Sequence, residues 1–490
     1  MSTESTTSTR LAVIGAGPGG YAAAFLASDL GLDVTLIDPK PNPGGVCLFH
    51  GCIPSKALLH VVKVIEEARQ ASRWGVEFSD PKIDLEKLRS WKDSVVGKLT
   101  GGLGEVTKRR RVRYLQGHAR FRGGNGLDVQ FIDGGEQRIQ FEHAIVAAGS
   151  RPAGLPNVPG DSSRFLDSTS ALELKDVSGR LLVVGGGYIG LELGAVYATL
   201  GSRITVVEMT SNLLPGVDED LVRPLEKRLS GLFEDILVNT KVANFNDQHD
   251  RVRVVFEGKG IENPEQEFDR VLVSVGRKPN SQGLGLENTR VEVDAAGFVR
   301  VDNQLRTSDP SIFAIGDLVG QPMLAHKASH EGRIAAEVIA GRSAVFEPRA
   351  IPAVVFTDPE IAWCGLTEIR AKKAGRNVRV VRFPWAASGR ATTMDRTEGL
   401  TKMLIDPETE RVLGVGIAGS GAGELISEGV LAMEMAAEAT DVKLTIHPHP
   451  TLSETFMESA ALFFGESSHV YRPRKDLAAR TSGPKEGGAG

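Results

Sequence analysis

The sequence predicts an α/β protein built from several domains. Three observations lead to this fold class: a length of 490 residues, a strand–loop–helix–strand pattern that occurs twice, and an excess of glycine. At roughly 150 residues per domain, the length corresponds to about three domains. The 56 glycines concentrate in loops after apolar runs, where a backbone must approach another group closely.

The repeated pattern occupies Leu11–Asp38 and Leu181–Glu208, which align without a gap. Each segment begins with a short apolar run, which is typical of a buried parallel strand. Each continues into G-x-G-x-x-G and a helical stretch, and ends on a carboxylate after a second β-rich run. The fingerprint glycines are Gly15, Gly17 and Gly20 in the first copy and Gly185, Gly187 and Gly190 in the second.

This pattern is typical of a Rossmann-like unit that binds a dinucleotide. The first glycine permits a tight turn, the second lets the backbone reach a pyrophosphate, and the third allows the helix to pack on the strand. The helix N-terminus faces the phosphate charge. The terminal carboxylate, Asp38 or Glu208, can accept hydrogen bonds from ribose hydroxyls. Two such units predict two bound dinucleotides, or one unit that has lost its ligand.

The second carboxylate also indicates which dinucleotide binds there. Glu208 would repel the 2′-phosphate of NADP, and the residues that follow, 209–212, include no arginine to receive it. Arg203 lies inside the strand-forming stretch and is a poor phosphate clamp. The second unit is therefore predicted to bind NAD.

Cys47 and Cys52 follow the first repeat in a C-x4-C spacing. A zinc site would need four ligands, usually from two close pairs, and two inert buried thiols are a further alternative. We favour a redox-active disulfide at the start of a helix, because a helix N-terminus stabilises a thiolate. No metal site is predicted.

His447 and His449 lie in a proline-stiffened loop near the C-terminus, and Glu454 follows them. A histidine with a carboxylate in reach is a candidate general acid or base, because the carboxylate fixes its tautomer and raises its basicity. A lone histidine is more often packed or exposed, so the residues alone leave both interpretations open.

Composition and charge exclude several classes of protein. Lys+Arg 57 against Asp+Glu 62 argues against a nucleic-acid binder, which needs a clustered positive excess. No long uncharged apolar run predicts a membrane span, and the first residues do not resemble a secretory signal. Three cysteines argue against a secreted disulfide scaffold. We therefore expect a cytoplasmic protein.

Five signatures in one order resemble the pyridine nucleotide–disulfide oxidoreductases, over roughly residues 11–470. They are the two glycine fingerprints, the thiol segment G-G-x-C-x4-C-I-P-S-K, T-S-D-P-S-I-F-A-I-G-D at Thr307–Asp317, and H-P-H-P-T-L-S-E at His447–Glu454. Within that family the chain is most similar to the enzymes that oxidise dihydrolipoamide. The resemblance implies a homodimer with FAD on the first fingerprint and NAD on the second.

The resemblance also implies roles for single residues. Lys56 lies beside the flavin and pairs with Glu192, and Asp317 binds a ribityl hydroxyl. The residues implied for FAD are Gly15, Gly17, Gly20, Asp38, Lys56, Gly149, Gly316 and Asp317. Those implied for NAD are Gly185, Gly187, Gly190, Glu192, Glu208 and Gly276.

The implied reaction oxidises dihydrolipoamide to lipoamide and reduces NAD. Cys47 faces the substrate, Cys52 lies nearer the flavin, and His449 is the base, oriented by Glu454 across a dimer interface. The implied partner is a lipoyl domain of a 2-oxoacid dehydrogenase or glycine cleavage complex. His50 departs from the family pattern, and we expect it to shift the pKa of the neighbouring thiolate.

Two alternatives to this activity remain at the level of sequence. One is another FAD-dependent disulfide or metal-ion reductase of the same family, although arginines for NADP and a C-terminal cysteine pair are both missing. The other is a redox-silent structural subunit of a 2-oxoacid dehydrogenase complex, which would be expected to lose a thiol or the histidine.

The predicted domain order assigns residues 1–150 to the FAD-binding domain and 151–276 to the NAD-binding domain. Residues 277–348 return to complete the FAD side, and 349–472 form an α+β dimerisation domain. Residues 473–490 are predicted to be a disordered tail, and the Ser/Thr-rich first nine residues are expected to be disordered as well.

Overall fold

The computed structural model describes residues 6–159, 162–248 and 250–471. They fall into two compact units. The first unit contains the chain up to Ser211 together with Phe233–Glu347, and the second contains Asn212–Leu232 together with the chain from Pro348. The predicted tail, 473–490, lies outside the described residues.

Strands and helices alternate through much of the chain. The strands are β1 (Thr6–Ile14), β2 (Val34–Asp38), β3 (Arg113–Gly123), β4 (Gly126–Phe131), β5 (Glu136–Val146), β6 (Ser150–Pro152), β7 (Phe165–Leu166), β8 (Arg180–Val184), β9 (Arg203–Val207), β10 (Asp235–Leu237), β11 (Thr240–Asp247), β12 (Val252–Gly258), β13 (Glu265–Phe268), β14 (Arg270–Val273), β15 (Arg277–Pro279), β16 (Ile312–Ala314), β17 (Ala353–Val355), β18 (Glu360–Gly365), β19 (Arg379–Pro384), β20 (Leu400–Ile405) and β21 (Val412–Gly419). The α-helices are α1 (Pro18–Asp29), α2 (Gly45–His50), α3 (Cys52–Gln70), α4 (Leu85–Arg109), α5 (Ser168–Leu172), α6 (Tyr188–Leu200), α7 (Glu219–Leu229), α8 (Ala325–Ile339), α9 (Glu368–Lys373), α10 (Gly389–Thr393), α11 (Ala422–Glu434), α12 (Ala439–Leu444) and α13 (Glu454–Phe464).

The first sheet contains the first sequence repeat. β1 pairs in parallel with β2 and with β5, and β16 adds to β5 in parallel. β4 pairs antiparallel with both β3 and β5. Because β16 comes from the segment after residue 277, that segment adds a strand to the first sheet.

The expectation of a disordered N-terminus over the first nine residues is wrong from Thr6 onward. Thr6–Thr9 belong to β1, in register with Arg138–Phe141 of β5. Threonine is favoured on a pleated strand, and the ladder hydrogen bonds to β5 satisfy this stretch of backbone.

The second sheet contains the second repeat and is parallel throughout, in the order β10-β9-β8-β14-β7. A separate antiparallel sheet, β11-β12-β13, is inserted between β10 and β14 in the chain. The apolar runs before the two fingerprints are β1 and β8, and their residues Leu11 and Leu181 are fully buried. The prediction of two Rossmann-like units is therefore confirmed.

The second unit is an antiparallel sheet, β17-β18-β21-β20-β19, with helices packed against it. Its core includes Trp385, which is fully buried and donates its indole N–H to Thr401. This mixed architecture is the predicted C-terminal α+β domain.

The segment Asn212–Leu232, which the sequence division assigns to the NAD-binding domain, belongs to this second unit. Asp218 accepts backbone N–H groups from Glu368 and Ile369 at the start of α9, at 2.9 and 3.1 Å. The buried Lys402 ammonium contacts Asp218, Asp220 and Glu368 at 2.7, 2.7 and 2.9 Å. An ammonium thus holds the centre of these three carboxylates, and the ion pairs fix the segment in this unit.

One helical stretch among the described residues, Gly45–Trp74, is long and apolar enough to cross a membrane by length and composition. This is weak evidence, because the core helix of a soluble protein meets the same criterion. The sequence expectation counted only uncharged runs, whereas this stretch contains Lys56, which pairs with the buried Glu192.

Candidate active site

The two predicted ribose-binding carboxylates have the same local geometry. Asp38 accepts backbone N–H groups from Ala16 and Lys40, at 2.8 and 2.9 Å. Glu208 accepts the equivalent groups of Gly186 and Thr210, both at 2.8 Å. Each carboxylate is therefore held at the tip of its strand, beside the glycine loop. Burial raises the pKa of Asp38, and its backbone hydrogen bonds oppose that shift.

The third glycine of each fingerprint is required by close packing. A Cβ on Gly20 would lie 1.9 Å from the carbonyl oxygen of Gly15, and a Cβ on Gly190 would lie 2.3 Å from that of Gly185. The middle glycines face open space instead. A Cβ on Gly17 would meet only the Cα of Gly45, at 3.9 Å, and one on Gly187 would meet nothing within 4 Å. Both loops therefore leave room for a phosphate to approach the backbone.

A cavity of about 500 Å³ lies in the first unit. Its wall brings together most of the residues predicted for FAD and for the redox pair. They are Gly15, Gly17, Asp38, Cys47, Cys52, Lys56, Gly149, Glu192, Gly316 and Asp317. This combination of an open glycine loop, a ribose-type carboxylate and a thiol pair fits a flavin dinucleotide.

The two cysteines are adjacent in this wall as free thiols. Cys47 lies in α2 and Cys52 begins α3, as predicted for a thiol at a helix N-terminus. The pKa of Cys52 is lowered to about 7, because the hydrogen bond with Cys47 and the charge of Lys56 outweigh burial and the charge of Glu192. The same hydrogen bond and burial raise the pKa of Cys47. Of the pair, Cys52 is therefore the thiol that ionises first.

The predicted pair of Lys56 and Glu192 is present. The Lys56 ammonium donates to Glu192 Oε2 at 2.8 Å, and Glu192 is buried. Glu192, assigned from the sequence to the NAD residues, thus also contributes to the wall of the first cavity. A buried carboxylate needs such a partner, and the partner in turn places a positive charge beside Cys52.

Asp317 is held by a polar network that sequence reasoning missed. The hydroxyl of Ser150 donates to Asp317 Oδ2, and Arg277 donates to both the hydroxyl and the carbonyl oxygen of Ser150, each at 2.7 Å. The antiparallel pairing of β6 with β15 brings Ser150 and Arg277 together. Only the motifs around these residues, A-A-G-S-R-P and V-G-R-K-P-N, could have pointed to the contact.

A second missed contact lies behind Gly316. Glu331 accepts the N–H of Gly316 at 2.7 Å and contacts the Lys327 ammonium at 2.6 Å. Burial raises the pKa of Glu331, and Lys327 opposes the shift. The spacing of four residues on α8 is the signal that could have indicated this pair.

His50 lies in the cavity wall, but the charged groups that shift its pKa are lysines and a glutamate rather than the two cysteines. Burial lowers the pKa of His50, Lys40 lowers it further, and Glu173 opposes the shift. The effect on Cys52 that the sequence suggested stays a prediction.

His449 and Glu454 form a pair in the second unit. His449 Nδ1 lies 2.9 Å from Glu454 Oε1, and Glu454 Oε2 accepts the N–H of Thr451 at 2.7 Å. Because a carboxylate only accepts hydrogen bonds, the contact places a proton on Nδ1 and leaves Nε2 as the free acceptor. His447 instead pairs with Glu428 at 2.7 Å. This arrangement gives His449 the geometry of a general base.

Residues 9–332 match the family described as pyridine nucleotide-disulphide oxidoreductase, and residues 351–460 match the dimerisation domain of that family. The chain belongs to this family.

Curated relatives cover nearly the whole chain. A dihydrolipoyl dehydrogenase of Vibrio cholerae is 50% identical over 93% of this chain and 96% of its own length. One from Haemophilus influenzae is 49% identical over 93% and 95%. Among solved structures, LpdA from Mycobacterium tuberculosis has a TM-score of 0.86 at 26% identity, covering 93% of this chain and 99% of that chain. The flavoprotein disulfide reductase RclA from Escherichia coli has a TM-score of 0.82 at 27% identity, covering 92% and 99%.

Proposed function

We propose that this chain is a dihydrolipoamide dehydrogenase, which oxidises dihydrolipoamide to lipoamide and reduces NAD⁺ to NADH with FAD as cofactor. The observation that carries the proposal is the adjacent thiol pair, with Cys52 as the more acidic thiol near Lys56, in the wall of the cavity that the first fingerprint also lines. The relatives with this name, at about 50% identity over most of the chain, support the choice of substrate.

The residues that would hold FAD are the first glycine loop, Asp38 at the ribose and Asp317 at the ribityl chain. Bound there, FAD would supply the two-electron redox chemistry that links the thiol pair to NAD⁺. The second glycine loop and Glu208 would hold the NAD. Arg203, which lies in β9, contacts Glu234 at 3.5 Å.

The chain's own residues carry the thiol chemistry. His449 removes a proton from one thiol of dihydrolipoamide, and the resulting thiolate attacks the sulfur of Cys47 in the Cys47–Cys52 disulfide. The bond to Cys52 breaks and leaves Cys52 as a thiolate. The second substrate thiol then attacks the substrate sulfur bonded to Cys47, the disulfide of lipoamide closes, and the leaving Cys47 sulfur takes up the proton of the attacking thiol. Glu454 stabilises the imidazolium that forms on His449.

The dimerisation domain and the relatives support a homodimer. We further propose that the His449–Glu454 pair serves the thiol site of the opposite subunit, so that each active site needs two chains. The natural substrate is proposed to be the dihydrolipoyl group on a lipoyl domain of a 2-oxoacid dehydrogenase or glycine cleavage complex. The proposed location is the cytoplasm, supported by the small number of cysteines, and cell fractionation tests it.

Steady-state assays with lipoamide, glutathione disulfide and mercuric ion test the proposed substrate. We expect turnover with lipoamide and NADH, with NADPH a poor replacement. Activity with glutathione disulfide alone would contradict the proposal. A complete lack of activity with each of these substrates would favour a structural subunit.

A further inference from the structure

A second histidine–carboxylate pair lies one helical turn beyond Glu454. Glu458, also on α13, is only 4% exposed. Its Oε1 lies 2.9 Å from His469 Nδ1, and its Oε2 accepts the hydroxyl of Ser467 at 2.5 Å. The geometry repeats that of the His449–Glu454 pair, in which the same two atom types are also 2.9 Å apart.

The two pairs share one helix. Glu454 and Glu458 are four residues apart on α13, the spacing at which side chains lie on the same face of a helix. Burial of Glu454 opposes ionisation, but hydrogen bonds from Thr451 and His449, together with the charges of His449 and His469, lower the pKa of Glu454. The His469 side chain is 48% exposed, so solvent reaches it while it contacts a buried carboxylate.

Other charged groups near α13 have partners elsewhere. α12, β19, β20 and the loop that carries His449 pack beside α13. The contacts of their titratable groups are Lys443 with Glu466, Asp441 with the N–H of Glu438, Arg379 with the ring of Phe463, Arg382 and Lys402 with Asp220 and Glu368, and His447 with Glu428. Among the described residues, His469 is thus the titratable group that meets Glu458.

We propose that His469 is a positioning residue for the base. Paired with Glu458, it places a positive charge behind Glu454 and so sets the pH at which His449 loses its proton and can act. This inference rests on the proposed function of His449. Without the charge, two carboxylates would hold the proton on His449 more strongly, and a more alkaline solution would be needed to free the base.

Two substitutions in the full-length holoenzyme separate charge from packing. His469→Gln keeps a hydrogen-bond donor but removes the charge, whereas His469→Lys keeps a cation. In a profile of kcat/KM for dihydrolipoamide against pH, we expect His469→Gln to move the acid limb upward by about 0.3 to 0.5 pH unit. His469→Lys should leave the limb at or below its wild-type position.

Glu466→Gln is the matched control, because it removes an exposed carboxylate from the same segment, paired only with Lys443 among the contacts described. We expect no shift of its profile. Superimposed profiles for wild type and His469→Gln would overturn the inference, and so would equal shifts for the Gln and Lys variants, which would indicate packing alone.

The same pH dependence can be read without turnover. Diethyl pyrocarbonate modifies the neutral imidazole, and peptide mass spectrometry locates the product on His449. We expect the pH midpoint of this modification to rise in His469→Gln and not in His469→Lys. If the protein fails to oxidise dihydrolipoamide, the proposed function fails, while this measurement still decides the role of His469.

Discussion

The two glycine loops of this chain have the same cradle but different surroundings. In both, a carboxylate accepts two backbone N–H groups and the third glycine packs on the first. The thiol segment packs against one side of the first loop, since a Cβ on Gly45 would lie 2.4 Å from the Cα of Gly17. At the second loop, a Cβ on Gly187 would meet nothing within 4 Å.

We expect this difference to separate a resident cofactor from an exchanging one. The first loop belongs to a cavity whose wall also contains the thiols, so a dinucleotide bound there would lie beside the redox pair. We expect the dinucleotide at the second loop to leave after each turnover, and the one at the first loop to stay bound.

The largest expected effect comes from removing a thiol of the Cys47–Cys52 pair, which only the first site has. Cys47→Ser or Cys52→Ser should lower lipoamide turnover by about 10³-fold or more, because the relay loses a nucleophile or its leaving group. FAD content, measured from the flavin absorbance, should stay at the wild-type level. Cys364→Ala is the control, since this buried thiol lies in the core of the second unit and should be dispensable for turnover. Wild-type turnover in either serine variant would refute the relay.

Replacing the carboxylates of Asp38 and Glu208 one at a time tests the comparison of the two dinucleotide sites directly. Asp38→Ala should weaken FAD binding and yield protein depleted of flavin. Glu208→Ala should keep its flavin and raise the KM for NADH by about 10-fold, as expected for lost hydrogen bonds to a charged group. The flavin-to-protein absorbance ratio and the KM are the two readouts. A flavin-depleted Glu208→Ala protein would show that the two sites are assigned the wrong way round.

Replacing either residue of the Lys56–Glu192 ion pair should have a smaller effect, of predictable sign, on the pKa of Cys52. Lys56→Met removes a charge that lowers the pKa of Cys52, so that pKa should rise by about one unit. Glu192→Gln removes a charge that raises it, so the pKa should fall. The pH dependence of iodoacetamide alkylation of the reduced enzyme measures both. Shifts in the same direction would mean that the pair acts through packing rather than charge.

The sequence predicted those features that are coded within short segments. The two loops, Asp38 and Glu208 follow from periodicity and glycine spacing, because a Rossmann-like unit is a local motif. The Lys56–Glu192 contact needed the family resemblance, since nothing in the chain between the two residues indicates that they meet.

Contacts created by tertiary packing were missed. The placement of Asn212–Leu232 depends on Asp218 reaching Lys402, and the support of Asp317 depends on strand pairing between β6 and β15. The His469–Glu458 contact depends on how the chain returns along α13 after Gly465. These contacts join residues that are distant in sequence or depend on the path of the chain. Neither hydrophobic periodicity nor composition therefore predicts them.

The central claim is that the Cys52 thiolate lies against the flavin. The most direct test is the absorbance of the enzyme after anaerobic two-electron reduction, recorded across a pH series. Because the pKa of Cys52 is lowered to about 7, a long-wavelength thiolate–flavin band should be present above that pH and fade as the pH falls through it. The band should persist in Cys47→Ser and be absent from Cys52→Ser. A reduced enzyme with no band at any pH, or with a band that survives in Cys52→Ser, would contradict the account.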